Sequence, residues 1–269
     1  MKRTLPTFLK IKKHKKTIVL LFVGRAKNGK SFLIRFFAEL AGLLGEPGVL
    51  LIDGDEQADR DFMRLDKRII AMPLRDRDDA TRLISAAEGC SLIAVDMPGA
   101  AQGYIEEVCA DKARLDGHNV ELVPVIVTTD LTEITALTKS WLEIFQNSKR
   151  GFLILNQTSS EPLKEKAITL TDISTPAPKA LTIMHVPPLA QRTAAEIARI
   201  AAKMGDIYDG LIDTNESELL SMGIIQTEIS LWCIAASEAL APLCTFAAEA
   251  LAVEPVEAIP AQVGTTAKK

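Results

Sequence analysis

The chain has 269 residues, of which 48% are hydrophobic and 25% are charged. This balance excludes a disordered or fibrous protein, and the length allows one large α/β domain or two smaller domains. The formal net charge is only −4, but residues 1–38 hold eleven Lys/Arg and neither Asp nor Glu, so the rest of the chain is acidic. The four cysteines are Cys90, Cys109, Cys233 and Cys244. They lack the spacing of a zinc site or of a disulfide framework, which favours a reduced, cytoplasmic location.

The N-terminal segment, residues 1–16, is a basic arm that precedes the apolar run Thr17–Gly24. The run is short, lacks a small-residue cleavage site and leads into a glycine motif, so we interpret it as a strand and not as a signal peptide. No window has the roughly 18 uncharged apolar residues of a membrane span, and we therefore expect no transmembrane segment. The arm is either a solubilising extension or a surface that neutralises DNA phosphates without reading bases.

Apolar, β-branched runs then alternate with amphipathic helical patterns. This alternation predicts an α/β fold with a doubly wound, mostly parallel sheet and helices on both faces. The predicted strands cover residues 18–23, 49–53, 69–72, 92–96, 122–128, 152–156 and 181–186. The predicted helices cover residues 31–44, 79–87, 104–115, 131–146 and 190–204.

The C-terminal part differs in charge, because residues 205–253 contain neither Lys nor Arg. Apolar residues recur at three- and four-residue steps from Glu228 to Leu251, which predicts one helix with an apolar stripe. This helix either covers the sheet or forms a dimer face. Residues 254–269 contain two prolines and are predicted to be a flexible tail.

The strongest motif is a complete G-x-x-x-x-G-K-S loop at Gly24–Ser31, between the first predicted strand and the first predicted helix. Glycines let backbone N–H groups wrap phosphates, Lys30 reaches the β and γ oxygens, and the Ser31 hydroxyl ligates Mg²⁺. The motif therefore predicts a nucleotide site. Its candidate binding residues are Gly24, Arg25, Ala26, Lys27, Asn28, Gly29, Lys30, Ser31 and Phe32.

Carboxylates follow two other predicted strands. Asp96 ends the apolar strand 92–96 and suits a Walker B carboxylate that holds the Mg²⁺ water shell. Asp53 and Asp55 follow the strand 49–53. Ligands of doubly wound sheets bind at the carboxyl edge, so these segments and the loop are expected to converge there. The candidate metal ligands are Ser31, Asp53 and Asp96.

Together with Leu153–Asn156 and His185–Pro188, these motifs resemble the ParA/MinD family of deviant-Walker-A ATPases over residues 17–205. The resemblance implies a P-loop ATPase domain, here residues 17–253, that binds ATP and Mg²⁺ and forms a nucleotide-dependent homodimer. It implies that Asp55 orients the attacking water, that Asn156 contacts adenine, and that Pro187 lies at the nucleotide. It also implies slow hydrolysis, an activating protein partner or cargo adaptor, and a cargo such as plasmid DNA or a conjugation or secretion assembly.

The loop departs from the family pattern K-G-G-x-G-K-[ST], whose leading lysine reaches the partner's phosphates. Arg25 stands at that position, and Ala26, Lys27 and Asn28 replace the usual small residues. Arginine keeps the charge and can grip phosphate oxygens in a bidentate way, so a catalytic role for Arg25 in trans is one interpretation. In the other, Arg25 faces solvent and the loop acts as an ordinary Walker A.

Alternative functions make different demands on the sequence. A GTPase would need an N/T-K-x-D segment, and neither Thr128–Leu131 nor Asn156–Ser159 supplies one, which favours ATP. An iron–sulfur role fails because Cys109 has no nearby second cysteine. A small-molecule kinase would need a lid of arginines, and a non-hydrolysing scaffold would bind nucleotide only structurally. The candidate lid arginines, interleaved with aspartates, are Arg60, Arg64, Arg68, Arg75, Arg77 and Arg82.

Overall fold

The computed structural model of the chain describes residues 16–25, 28–55, 68–87, 89–99, 101–129, 136–156, 173, 175–188 and 223–252. Seven strands lie in this part of the chain: β1 Thr17–Gly24, β2 Val49–Asp53, β3 Ile69–Ala71, β4 Leu92–Asp96, β5 Val120–Thr128, β6 Arg150–Asn156 and β7 Ala180–Val186. The helices of the same part are α1 Lys30–Leu40, α2 Arg77–Ala86, α3 Gln102–Ala110, α4 Lys112–Gly117, α5 Ala136–Ile144 and α6 Gly223–Leu251.

The strands form one sheet in the order β3-β2-β4-β1-β5-β6-β7, and every described strand pair is parallel. The first strand lies centrally, and the chain builds outward on both of its sides. In this strand order the direction in which the chain adds strands reverses beside β1. Ligands of doubly wound sheets bind in the crevice at such a reversal, so a ligand site is expected at the carboxyl end of β1. The predicted strands and the doubly wound parallel sheet are confirmed.

The two faces of the sheet carry separate apolar cores, as expected for strands that are buried on both sides. On one face, α1 and α6 pack over alternating strand residues, and Phe36, Trp232 and Leu243 are buried there. On the other face, α2, α3 and α5 form a second core that contains Leu83, Ile105 and Trp141. The described cysteines are all free, in agreement with the sequence expectation.

The long helix α6 covers the sheet with one side, whereas Leu231 and Ile234 on its other side are 64% and 59% exposed. Its segment Ser230–Leu251, with a mean hydropathy of 1.5, is long and apolar enough to cross a membrane by length and composition alone. Core helices of globular proteins often pass that test, and Ala236, Leu240 and Leu243 are fully buried against the sheet. One side of the helix covers the sheet, but only 33% of the apolar window is buried, so the dimer-face interpretation and the expectation of no transmembrane segment both stay open.

Several predicted helix boundaries shift for local reasons. The first helix ends at Leu40, not at residue 44, because the chain reverses at Gly42, whose φ is +65°. The single helix predicted over residues 104–115 is wrong: it is two helices, α3 and α4, broken at Asp111, whose side chain accepts the Arg114 N–H and caps α4.

Other predicted segments lie outside the described residues. They are the arm before Lys16, residues 131–135 at the start of the fourth predicted helix, the helix 190–204, the acidic stretch 205–222 and the tail 254–269.

Candidate nucleotide-binding site

The carboxyl edge of the sheet brings together predicted site residues from separate parts of the sequence. Phe22 in β1 lies opposite Asp96 in β4, and Asp96 lies opposite Asp53 in β2. The two aspartates therefore end neighbouring strands, and Asp96 ends the one that pairs directly with the strand leading into the loop. Both are completely buried.

The glycines of the loop are required by its geometry. Gly24 has φ +150°, and a Cβ there would lie 2.3 Å from the Val127 carbonyl oxygen. Gly29 has φ +76° and forms the N-cap of α1, which begins at Lys30 without a side-chain cap and without an acidic residue in its first turn. The first backbone N–H groups of this helix thus face the loop without a carboxylate to satisfy them, as an anion site requires.

Lys30 does not point away from the protein. Its ammonium donates to Asp96 Oδ1 in an ion pair whose side chains are only 7% and 0% exposed. The second carboxylate oxygen, Asp96 Oδ2, is buried and accepts no hydrogen bond from the described residues. Such an oxygen is costly to leave unpaired, so this position is suited to a further positive or hydrogen-bonding ligand.

Electrostatics at this edge favour a cation. Burial raises the pKa of the Asp96 carboxyl, and the buried charge of Asp53 adds to the effect; the Lys30 ammonium and the Ser31 hydroxyl oppose it. Two carboxylates and a hydroxyl are the hard oxygen donors that Mg²⁺ prefers. The residues present therefore fit Mg²⁺, which would complete its coordination with phosphate and water oxygens. In the described part of the chain no group of three or more His, Cys, Asp or Glu forms a metal site by itself.

Asp55, the predicted water-orienting residue, follows β2 at the same edge and is partly exposed. Its backbone N–H donates to Asp53 Oδ1 at 3.1 Å. Between them, the Gly54 N–H donates to the Asp96 carbonyl at 2.9 Å, and a Cβ on Gly54 would lie 2.7 Å from that oxygen. This close approach holds Asp53 and Asp55 in a fixed relation to the end of β4.

Asn156, predicted from the resemblance to contact adenine, lies at the end of β6 and contacts the loop itself. Its Nδ2 donates to the Asn28 carbonyl oxygen at 2.7 Å. The Asn28 side chain in turn donates from Nδ2 to the Val127 carbonyl at 3.2 Å. Both asparagines are therefore parts of the loop's support, and the adenine contact stays a prediction.

Phe32 and Pro187 both contact Trp232 of α6. The Trp232 indole N–H donates to the Pro187 carbonyl at 2.9 Å, and its ring centroid lies 5.4 Å from that of Phe32. Phe36, one turn further along α1, lies 5.2 Å from the same indole. The loop helix and the segment after β7 thus share one aromatic contact, and their direct contact with a nucleotide remains a prediction.

The remaining predicted loop residues are Arg25, Ala26 and Lys27. Arg25 is exposed at the end of β1, a position open to solvent or to a partner. Ala26 and Lys27 lie outside the described residues. Both interpretations of Arg25 therefore stay open.

Three of the candidate lid arginines, Arg75, Arg77 and Arg82, have carboxylate partners. Arg75 and Arg82 bind the two oxygens of Asp79 at 3.2 and 3.1 Å, and Arg77 lies 3.6 Å from Glu107. Arg68 is exposed next to β3, and Arg60 and Arg64 lie outside the described residues. Arg75, Arg77 and Arg82 thus belong to an ion-paired surface at and around α2, in line with a solvated face.

Sequence reasoning missed three supports of the site: the Val127 carbonyl, the side-chain role of Asn28, and Trp232. A backbone carbonyl carries no sequence signal, and Trp232 reads only as one more apolar residue of a helical stripe. For Asn28 the sequence did carry a signal, because this polar residue stands at a loop position where the family has a small residue.

No family model matches the chain, and no curated protein matches it. Among solved structures, the chain is similar to the MinD cell division protein of Aquifex aeolicus, at 18% identity and a TM-score of 0.44, over 80% of this chain and 96% of that chain. It is also similar to a LAO/AO transport system kinase, at 16% identity and a TM-score of 0.35, over 88% of this chain and 69% of that one. Neither likeness is close enough to bear on function. The strand order and the loop between β1 and α1 define a P-loop NTPase-like α/β fold.

Proposed function

We propose that this protein binds Mg²⁺-ATP and hydrolyses it slowly, as a ParA/MinD-like switch that positions or partitions a cargo through ATP-dependent dimerisation. The observation that carries the proposal is the buried contact between Lys30 of the loop and Asp96 of the Walker B strand, with the Asp96 Oδ2 atom left without a described partner. Most buried side-chain oxygens in folded proteins have a hydrogen-bond partner, so the Asp96 Oδ2 atom is an exception. This arrangement supports a site whose groups exchange partners when a ligand arrives.

The roles of the residues follow from their positions. The uncapped start of α1 and the loop N–H groups bind the phosphates, and Lys30 moves from Asp96 to the β and γ oxygens. Ser31, Asp53 and Asp96 would hold Mg²⁺, which neutralises charge on the phosphates. Because Asp96 gains a cation as it loses Lys30, its buried charge remains compensated throughout the exchange.

Asp55 is the proposed water-orienting residue. It lies at the same edge as the loop, it is partly exposed, and the Asp53 side chain holds its backbone N–H. A carboxylate in this position accepts a hydrogen bond from the attacking water and directs its oxygen toward the γ-phosphorus. Catalysis is then mostly positioning, and slow turnover is expected until a partner completes the site.

In this proposal the switch depends on the exchange of partners at Lys30. Loss of the γ-phosphate removes the charge that draws Lys30 from Asp96, so the nucleotide-free pairing returns and the dimer or partner is released. In this proposal the exposed Arg25 contributes across the dimer, and an adaptor protein links the switch to a cargo such as plasmid DNA or a conjugation or secretion assembly. The basic N-terminal arm is the proposed site of nonspecific DNA contact.

The test measures turnover and mass on the same samples. Asp55→Ala should keep ATP binding and lose phosphate release, whereas Asp116→Ala, on an exposed position of α4, should change neither. Light scattering with Mg²⁺-ATP should report a dimer that reverts to a monomer with ADP. Normal hydrolysis by Asp55→Ala would contradict its role, transfer of phosphate to a metabolite would support the kinase instead, and binding without any phosphate release with candidate partners would support a scaffold.

A further inference from the structure

Two asparagines from distant parts of the sequence hold the phosphate loop against the ends of β5 and β6. Asn156 Nδ2 donates to the Asn28 carbonyl at 2.7 Å, and Asn28 Nδ2 donates to the Val127 carbonyl at 3.2 Å. Thr129 Oγ1 makes a longer contact of 3.5 Å with Asn28 Oδ1. We call Asn28, Asn156 and the Val127 carbonyl the asparagine clamp.

The chemistry of the clamp fixes the orientation of the Asn156 amide. A backbone carbonyl can only accept, so the Asn156 atom that faces Asn28 must be the NH₂ donor. The same amide lies over Gly29, where a Cβ would approach Nδ2 to 2.6 Å. The Asn156 side chain therefore fills the space beside Gly29 and supports the loop immediately before Lys30.

This arrangement limits what Asn156 can do for a base. A bidentate asparagine contact to adenine uses the amide oxygen for N6–H and the amide NH₂ for N7. While the clamp is intact, one of the two N–H donors of that NH₂ group is directed to the loop carbonyl. The loop contact therefore sets the orientation of the amide, and a base could meet only the remaining N–H and the oxygen in that orientation.

We propose that Asn156 is a positioning residue of the phosphate loop, and that it acts through Asn28 and Gly29. The proposal rests on the proposed function, because the loop is taken to be the phosphate site. Its consequence is that Asn156 contributes to affinity for any ligand that carries the triphosphate, whatever base is attached.

Calorimetric titration with Mg²⁺-ATP and with Mg²⁺ and inorganic triphosphate tests this directly. We expect Asn156→Ala to weaken both ligands by the same factor, about 5- to 10-fold for the loss of one supporting hydrogen bond. Asn28→Ala, which leaves Asn156 in place, should also weaken both. Asn147→Ala, on an exposed turn before β6, is the matched control and should weaken neither.

The outcomes separate the clamp from the nucleotide site itself. Weaker ATP binding with unchanged triphosphate binding in Asn156→Ala would overturn the clamp and restore a base contact. Unchanged binding of both ligands would also overturn it. A wild-type protein that binds neither ligand would instead overturn the proposed function, and the role of the clamp with it.

Hydrogen exchange of the ligand-free protein gives a second readout. If the clamp positions the loop, amides of residues 28–31 should exchange faster in Asn156→Ala and Asn28→Ala than in the wild type, and at the wild-type rate in Asn147→Ala. Equal exchange in all four proteins would overturn the proposal even if one variant were less stable overall.

Discussion

Lys30 and Asp96, 66 residues apart in sequence, form an ion pair that is almost completely removed from solvent. The lysine belongs to the phosphate loop and the aspartate to the end of the neighbouring strand β4, so the pair joins the two halves of the candidate site. In the ligand-free protein each charge compensates the other. Ligand binding must therefore supply a new partner for both.

The first prediction concerns the stability of this pair. Lys30→Met leaves Asp96 as a buried carboxylate without its cation, and removal of one partner of such a pair costs about 3–5 kcal/mol. We expect the urea unfolding midpoint of Lys30→Met to fall accordingly. The double variant Lys30→Met, Asp96→Asn carries neither charge and should recover most of the lost free energy of unfolding.

That recovery is the informative control, because loss of packing at Lys30 would persist in the double variant. A double variant as unstable as Lys30→Met would show that the ion pair is not the source of the effect. Calorimetry on the double variant should also detect no ATP binding, since its fold is retained but the phosphate-binding ammonium is gone.

A second prediction compares two glycines with positive φ. In Gly24→Ala the new Cβ would lie 2.3 Å from the Val127 carbonyl oxygen at φ +150°, so the loop must shift, at a cost of about 2–3 kcal/mol and with loss of ATP binding. In Gly42→Ala the φ is +65° and nothing lies within 4 Å of the Cβ, so the cost should be about 1 kcal/mol. Thermal unfolding and ATP titration on both variants check this. Intact ATP binding by Gly24→Ala would contradict the close approach.

The third prediction is a pH dependence at Asp79. The Arg75 backbone N–H, helped by the Arg75 and Arg82 side chains, holds the pKa of this carboxyl below its ordinary value of 3.8. A lowered folded-state pKa contributes stability that is present above 3.8 and is lost as the pH falls through the folded value. Asp79→Asn should therefore be destabilising at pH 6, by an amount that shrinks below pH 3.8.

Chemical denaturation of Asp79→Asn and wild type across this pH range measures the difference. Asp78→Asn, at an exposed position of the same helix, is the matched control and should change stability little. A penalty at Asp79 that stays constant from pH 6 to acid would show that packing, and not charge, is responsible.

The fourth prediction uses the two tryptophans of the chain as reporters. Trp232 contacts Phe32 next to the loop and donates to the Pro187 carbonyl, whereas Trp141 is fully buried in the core on the other face of the sheet. ATP should change the tryptophan emission of the wild type and of Trp141→Phe, but not that of Trp232→Phe. Loss of the indole hydrogen bond should also cost Trp232→Phe about 1 kcal/mol of unfolding free energy. A change in tryptophan emission on ATP binding that persists in Trp232→Phe would show that Trp232 of α6 does not report on the site.

The sheet was predictable because buried parallel strands are nearly continuous apolar runs, such as Leu92–Asp96, which the structure reproduces residue for residue. The break between α3 and α4 was not predictable, because the apolar periodicity continues through it. The break depends on Asp111, which leaves helical geometry and accepts the Arg114 N–H as the cap of α4. At the site, the convergence of Lys30, Asp53 and Asp96 followed from the parallel topology alone.

What the sequence could not reveal is which partners these groups take in the absence of ligand. The Lys30–Asp96 pair and the contact of Asn156 with the loop depend on side-chain distances between strands, for which motif spacing carries no information. The resemblance suggests a base contact for Asn156, whereas the ligand-free geometry directs one N–H of its amide to the loop.

The central claim is that the Gly24–Ser31 loop is an ATP site whose lysine leaves Asp96 for the phosphates. The most direct test is calorimetric titration of Mg²⁺-ATP into the wild type and into the double variant Lys30→Met, Asp96→Asn. We expect saturable binding of one ATP per chain in the wild type and none in the folded double variant. Equal binding by both proteins, or no binding by the wild type, would contradict the claim.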